Sequence, residues 1–333
     1  MPETFLNKLE QKINVAYGKQ GRQSLYSTGK KFGYRFALLG CFSKISDLPK
    51  NKFLDYFAII NKFIEGTYAS EISPEVDFKN KIIKYKLKNF VVCSKVGPSF
   101  FLPLGAAAGL ISMMFEDSTI EGLHLNCQHE GDKYCELIYA PISYLKKNFK
   151  DKEIFVEADL KNLDASREYA TFNKVLPIRS STYSFQDYLK SHLFDYHFGI
   201  ITHNDQRYFI LEVSAIYLLE RGLAKLGADK ILFDSAFETG QSVIRSLGIK
   251  SKTESIMDLL AAFGWGDILI LKKEQKHIAN ISAFPFTKFY KDINFEIVRG
   301  LISGMVSAIE GKRTIFSKVQ KTITKEGLSL ALA

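Results

Sequence analysis

The feature that most constrains this chain is an internal repeat, because a chain that carries one pattern twice is expected to carry one fold twice. The stretch "FLNKLEQKINVAYGKQGRQSLYSTGKKFG", which begins at Phe5, aligns with "IYLLERGLAKLGADKILFDSAFETGQSVI", which begins at Ile216. The offset of 211 is constant, and it places Gly29 on Gly240, each directly after a threonine. We therefore predict that the two stretches form the same helices.

A second alignment supports the duplication. "GAAAGLISMMFEDSTIEG" aligns with "GLISGMVSAIEGKRTIFS" at an offset of 195, and each contains glycines four residues apart, starting at Gly105 and Gly300. Glycine costs a helix about 1 kcal/mol relative to alanine, so a repeated pair indicates close approach by another element. We predict equivalent helices over 98–117 and 293–310, with chance similarity of two α+β domains as the alternative.

Hydrophobic spacing predicts three helices, two strands, a fourth helix and two further strands in the first half of the chain, and the internal repeat predicts the same order in the second half. The predicted boundaries are a first domain over 1–140, a linker with the start of a hairpin over 141–194, and a second domain over 195–333. Within the first domain, the pattern predicts two strands separated by a turn at Ser73-Pro74. A second hairpin is predicted around Asn204.

Composition excludes several classes of protein. The chain has no apolar run of the roughly 20 residues that span a bilayer, and its start, "MPETFLNKLEQK", lacks the features of a signal peptide. With four cysteines in 333 residues, a reducing cytoplasm is the expected location. The net charge of +9 comes from lysines spread along the chain, and we find no nucleic-acid-binding motif. The most basic run, "KNKIIKYKLKN", predicts a strand with one solvated face, and no nucleic-acid partner is expected.

The stretch "CQHEGDKYC" holds half of the cysteines, and it predicts a hairpin that brings Cys127 and Cys135 together across a turn at "QHEGD". Zinc needs three or four such ligands, and the candidates for the others are His124, His129 and Cys93. Strict alternation along a strand places His124 on the face opposite Cys127, which argues against it as a ligand. A zinc site, buried thiols and a regulatory disulfide remain alternatives.

The stretch "TIEGLHLNCQHEGDKYCELIY" resembles the end of the 4-vinyl-reductase-type domain, also called the hydrocarbon-binding domain. "PETFLNKLEQKINVAYGKQGRQSLYSTGKKFG" is similar to the opening helices of that family, and "GAAAGLISMMF" resembles its glycine-marked helix. In the second half, "YLKSHLFDYHFGIITHNDQRYFILEVSAIYLLERGLAKLG" is similar to the sensor domain of bacterial phenol- and xylene-responsive activators. The resemblance implies an α+β fold, with two tandem copies of an antiparallel sheet backed by helices, of the kind shared with small vesicle-tethering subunits. It also implies domains that pair within one chain or as a homodimer.

The metal ligands of the family are matched only in part. The resemblance implies a further cysteine near Phe101 and a glutamate at Gly122, so that only Cys127 and Cys135 match. We therefore predict a vestigial site in the first copy, with zinc only where another residue substitutes. In the second copy Ile323 and Ala331 stand in place of both cysteines, and no zinc is expected there.

Three functions are consistent with the sequence. The first is a sensor or carrier of an apolar or aromatic small molecule that passes its signal to a separate partner protein, since the chain has no output region of its own. The second is an interaction scaffold, and the third is an accessory factor in tetrapyrrole vinyl reduction. Because no dinucleotide fingerprint or acid/base constellation is found, an enzyme is the less favoured reading. The candidate pocket residues are Phe100, Phe101, Met113, Trp265, His277 and Phe284.

Overall fold

The structure is a computed structural model that describes residues 1–90, 100–160, 179, 184–197, 200–204, 206–248, 253–273, 276–284, 293–323 and 328–333. The chain divides into two compact units. The N-terminal unit comprises Leu6–Arg167 and Phe198–Ile200, and the C-terminal unit comprises Met1–Phe5, Glu168–His197 and Ile201–Ala333.

The first half of the chain supplies a four-stranded antiparallel sheet and four α-helices among its described residues. In chain order the elements are α1 (Glu3–Leu39), α2 (Lys50–Thr67), β1 (Glu71–Asp77), β2 (Ile82–Lys88), α3 (Phe101–Met114), β3 (Ile120–Asn126), β4 (Cys135–Pro141) and α4 (Ile142–Asn148). The strand order is β1-β2-β4-β3, so that β1 and β3 are the edges. Two helices were expected from the opening sequence, and the structure joins them into α1 with a kink at Gly18, where φ is 53°.

The turn predicted at Ser73-Pro74 is wrong, because β1 runs through both residues and Pro74 lies opposite Tyr85 of β2. Proline lacks an N–H to donate, and it is tolerated in a sheet on an edge strand. Since β1 is such an edge, Pro74 does not interrupt it. The chain reverses instead between Asp77 and Ile82.

Helix α3 packs so closely against α1 that only glycine fits at the contact. A Cβ atom on Gly109 would lie 1.9 Å from the backbone oxygen of Lys30, and one on Gly105 would lie 2.1 Å from that of Tyr26. Most of α3 is buried, which accounts for an apolar character on all sides of this helix. The prediction of close approach at these glycines is confirmed.

The second half of the chain supplies a three-stranded sheet, a four-stranded sheet and five α-helices among its described residues. In chain order the elements are α5 (Phe185–Lys190), β5 (Asp195–His197), β6 (Ile200–His203), β7 (Gln206–Tyr208), α6 (Val213–Ala224), α7 (Asp229–Ser246), α8 (Thr253–Ala262), β8 (Asp267–Lys273), β9 (Lys276–Phe284), α9 (Glu296–Glu310), β10 (Val319–Ile323) and β11 (Leu328–Leu332). The four-stranded sheet has the order β10-β11-β9-β8. Counted along the chain from β8, this is the first-second-fourth-third order of the N-terminal unit.

The glycines of α9 meet α7 as those of α3 meet α1, but one helical turn away from the alignment that the sequence predicts. A Cβ on Gly304 would lie 2.0 Å from the backbone oxygen of Phe237, so Phe237 takes the place of Lys30 at an offset of 207 rather than 211. Four residues are close to one helical turn, so either alignment presents the same face to the partner helix. Small residues repeated every four positions cannot distinguish the two alignments.

A buried glutamate caps the glycine-marked helix in each unit. The carboxylate of Glu10 accepts hydrogen bonds from the N–H groups of Phe101, at 2.8 Å, and Leu102, at 3.0 Å. Glu220 accepts in the same way from Glu296, at 3.1 Å, and Ile297, at 2.8 Å. The first N–H groups of a helix have no partner inside the helix. These carboxylates supply that partner at the buried N-terminal ends of α3 and α9.

Helices and antiparallel sheets alternate along the chain, so the fold is α+β, as predicted. None of the described helices combines the length and the apolar character needed to cross a bilayer.

Candidate functional sites

The stretch from Cys127 to Cys135 forms the predicted turn between β3 and β4. A short 3₁₀ turn over Gln128–Glu130 is followed by Gly131, whose φ of 99° suits glycine. The Asp132 carboxylate accepts the N–H of Cys127 at 3.0 Å. The turn thereby directs both cysteine side chains to the same side of the hairpin, and each is buried.

His124 joins the two cysteines. Its ring nitrogen and the sulfurs of Cys127 and Cys135 all lie within 4.8 Å of one another. The prediction that His124 points away from Cys127 is wrong, because the pairing of β3 with β4 shifts register between His124 and Asn126. An extra residue in a strand, a β-bulge, reverses the alternation beyond it, and so returns Cys127 to the face of His124.

The surroundings of His124 leave one ring nitrogen without a hydrogen bond. The Phe100 ring lies edge-on to the imidazole with 4.0 Å between ring centroids. Nε2 is buried and has no hydrogen-bond partner within the described part of the chain. An unsatisfied buried nitrogen costs about 1–3 kcal/mol, and a metal ion bound at this nitrogen would remove that cost.

Of the other expected ligands, one lies outside this cluster and one cannot be placed. His129 lies exposed in the turn, and Cys93 is outside the described residues. Phe101, near the family's cysteine position, packs on the Phe155 ring with 5.5 Å between centroids. At Gly122, where the resemblance implies a glutamate, a Cβ would lie 2.8 Å from the Tyr139 ring, so the site has no room for the longer side chain.

The C-terminal unit contains a cavity of about 280 Å³ between the β6–β7 hairpin, the start of α6 and the end of α8. Five aromatic side chains line it: Phe185, Tyr208, Phe209, Phe263 and Trp265. The wall is completed by Met1, Ile201, Ile210, Leu211, Ile216, Ala262 and Gly264. Among the described lining residues none has a charged side chain, and the terminal nitrogen of Met1 donates to the backbone oxygen of Phe209, so the cavity suits a neutral, apolar occupant.

Phe194 holds the aromatic wall from behind. Its ring lies 5.0 Å from that of Tyr208, 5.5 Å from that of Phe263 and 5.8 Å from that of Phe185, between ring centroids. It is buried but does not line the cavity itself. Burial raises the pKa of Tyr208, and a hydrogen bond with the side chain of Ser246 offsets part of this increase in pKa. The phenol ring is therefore neutral at physiological pH.

Of the three candidate pocket residues in this unit, Trp265 lines the cavity. Phe284 lies behind Trp265, with 6.4 Å between the two ring centroids, and is fully buried. His277 lies elsewhere, since its Nε2 is 2.9 Å from the carboxylate of Glu310.

The candidate pocket residues of the N-terminal unit do not line this cavity. Phe100 contacts His124, Phe101 contacts Phe155, and Met113 is buried in α3. Sequence reasoning also missed most of the cavity lining. The signal for it was present in the aromatic and aliphatic run "RYFIL" after the hairpin turn and in "FGW" after α8.

Similarity to known proteins is confined to solved structures. No protein-family model matches the chain, and no curated protein matches it. Among solved structures, the phenol-responsive sensory domain of the transcription activator PoxR with phenol aligns at 17% identity and a TM-score of 0.33. The alignment covers 43% of this chain and 76% of that one. Values this low are compatible with unrelated α+β chains, so the fold class stands on the elements described above.

Proposed function

We propose that this chain binds a neutral, apolar small molecule in the cavity of the C-terminal unit. The observation that carries the proposal is the cavity of about 280 Å³ with five aromatic side chains in its wall. An apolar cavity of about 150 Å³ is enough to hold benzene, so this one has room for a molecule of one or two rings. We propose that a ligand bound in this cavity acts through a separate partner protein.

The experiment uses Trp265, the single tryptophan of the chain, as a reporter inside the cavity. We expect 2-naphthol, a neutral two-ring probe, to change its fluorescence saturably. The matched anion 2-naphthalenesulfonate should not, because an apolar wall cannot solvate its charge. Ala262→Phe, which fills the cavity while keeping Trp265, should abolish the change. Equal responses to the two probes, or an unaltered response in Ala262→Phe, would refute binding in this cavity.

We further propose that His124, Cys127 and Cys135 hold a zinc ion in the N-terminal unit. Zinc–sulfur and zinc–nitrogen bonds of about 2.3 and 2.0 Å place tetrahedral ligands about 3.4–3.8 Å apart. The three ligand atoms lie within 4.8 Å of one another, so a contraction of at most about 1.4 Å in each separation forms the site. Two buried thiols and a buried nitrogen without a hydrogen bond in the described structure are the donor set that zinc prefers.

We infer that the two units are copies of one domain of the hydrocarbon-binding type. The shared strand order, the paired glycines and the glutamate caps of α3 and α9 support this inference. In such an arrangement the first copy would keep the metal and the second would keep the ligand cavity. The division of roles agrees with the loss of the cysteines at Ile323 and Ala331.

A further inference from the structure

His203 of the β6–β7 hairpin bridges two backbone carbonyl groups. Its Nδ1 lies 2.5 Å from the oxygen of Leu193, and its Nε2 lies 2.9 Å from the oxygen of Ser246, the last residue of α7. A carbonyl oxygen can only accept a hydrogen bond, so each nitrogen satisfies its contact by donating. An imidazole donates from both nitrogens only when both carry a proton.

The position of Ser246 favours that charged form. The carbonyl groups at the end of a helix carry the negative end of its dipole, which attracts a cation. The side-chain amide of Asn204 also lies 2.9 Å from Nε2. The same amide nitrogen donates to the backbone oxygen of Ser246 at 3.4 Å, so Asn204 also joins the hairpin to the end of α7. The imidazolium satisfies both carbonyl contacts, whereas a neutral ring leaves one nitrogen facing a carbonyl oxygen without a hydrogen.

One end of the His203 bridge lies next to Phe194, the residue that supports the cavity wall. Leu193 directly precedes Phe194, whose ring contacts Tyr208, Phe263 and Phe185 of the wall. The His203 ring itself contacts Phe194, with 5.9 Å between centroids. Strand β6 also supplies Ile201, which lines the cavity opposite Tyr208 in the hairpin.

We propose that His203 is a positioning residue for the ligand cavity. As an imidazolium it fastens the hairpin to the end of α7 and to Leu193, and thereby fixes Phe194 behind the aromatic wall. It touches no ligand. This inference rests on the proposed function, since the cavity that it shapes is the one proposed to bind the small molecule.

The test measures 2-naphthol affinity through Trp265 in variants of the full chain. We expect His203→Phe, which keeps a ring but donates nothing, to bind at least about tenfold more weakly, which corresponds to about 1.4 kcal/mol. His203→Gln, which keeps one donor, should fall between it and the unaltered protein. His192→Asn is the matched control, because His192 is exposed and its φ of 56° is one that asparagine tolerates.

Two further measurements separate positioning from loss of stability. Ser307→Ala removes the two hydrogen bonds that join Ser307 to Thr314 in the same unit, so it lowers the melting temperature away from the hairpin. It should leave the affinity unchanged. In ¹⁵N NMR spectra of the folded protein, both ring nitrogens of His203 should have the chemical shifts of protonated nitrogens.

The outcomes distinguish this inference from the proposed function. Unaltered 2-naphthol affinity in His203→Phe, an equal loss of affinity in Ser307→Ala, or one unprotonated ring nitrogen in the spectrum would overturn the positioning role. If His203→Phe does not fold, His203→Gln and the spectrum decide. If the unaltered protein binds no 2-naphthol while the spectrum shows two protonated nitrogens, the proposed function is refuted, whereas the two hydrogen bonds that His203 donates are supported.

Discussion

The ammonium group of Lys30 lies 2.7 Å from the carboxylate of Glu121, and both side chains are sealed from solvent. Both groups have further hydrogen-bond partners, since Lys30 also donates to the backbone oxygen of Ser118 and Glu121 accepts from the hydroxyl of Tyr26. The offsets that relate the two units place Phe233, Phe237 and Phe316 at the positions of Tyr26, Lys30 and Glu121, and all three are buried. One unit therefore has a buried polar network where the other has aromatic rings.

This contrast predicts how the N-terminal unit responds to substitution. Lys30→Met leaves the Glu121 carboxylate buried without its cation, so we expect a loss of about 3–5 kcal/mol in the free energy of unfolding. Lys30→Met combined with Glu121→Leu removes both charges and should cost less than either single change. Urea unfolding of the three variants measures the difference. A double variant that loses the sum of the two single losses would show that the ions do not depend on each other.

The helix contacts at glycine predict a large effect from a single methyl group. In Gly109→Ala the added Cβ would lie 1.9 Å from the backbone oxygen of Lys30, so α1 and α3 must separate. We expect a loss of at least about 1–3 kcal/mol in the free energy of unfolding. Gly304→Ala should behave alike in the other unit, where the contact is with Phe237. At an exposed helix position alanine would instead stabilise the protein, because its helix propensity is higher than that of glycine. Alanine variants that are more stable than the unaltered protein would therefore contradict both contacts.

The capping glutamates predict a dependence of stability on pH. Burial raises the pKa of Glu220 from 4.5 to about 8 and that of Glu10 to about 7, against the opposing effect of the helix N–H groups. Because the folded pKa is the higher one, the folded state holds the proton more tightly than the unfolded state. The contribution of Glu220 to the free energy of unfolding is therefore fully present below about pH 4.5 and is lost as the pH rises through about 8. The total loss is on the order of 5 kcal/mol.

Glu220→Gln tests this account, because glutamine does not titrate. We expect the unfolding free energy of the unaltered protein, measured by urea unfolding, to fall relative to that of Glu220→Gln as the pH is raised across this interval. The exposed Glu254 supplies the control substitution Glu254→Gln, which should leave the pH dependence unchanged. A pH profile of Glu220→Gln parallel to that of the unaltered protein would be the contrary result.

The two histidines near the cysteine hairpin form a matched pair for the metal proposal. His124→Ala removes a ligand of the proposed site, whereas His129→Ala alters an exposed turn residue outside the cluster. We expect cobalt to give strong thiolate charge-transfer absorption in the unaltered protein and in His129→Ala, and a weaker band with lower affinity in His124→Ala. Loss of binding in His129→Ala alone, or no binding to the unaltered protein, would refute the assignment of ligands.

Local patterns in the sequence were enough to predict the repeated helices, the close contact at the glycines and the hairpin that joins the cysteines. These features depend on spacing within one element or across one turn. The place of His124 could not be predicted, because a period of two along a strand contains no sign of the extra residue that reverses it. The one-turn shift at Phe237 has a similar cause, since residues four apart share a helical face. The cavity depends on Phe194, Tyr208 and Phe263 meeting from three distant segments, which no local pattern records.

The central claim is that the C-terminal unit holds a small apolar molecule, and native mass spectrometry of the protein purified without denaturation tests it most directly. The unaltered protein, either as isolated or after incubation with 2-naphthol, is expected to carry one neutral small molecule per chain. Ala262→Phe, in which the cavity is filled, is expected to carry none. A protein that has the mass of the bare chain under both conditions, or an Ala262→Phe variant that retains the molecule, would contradict the account.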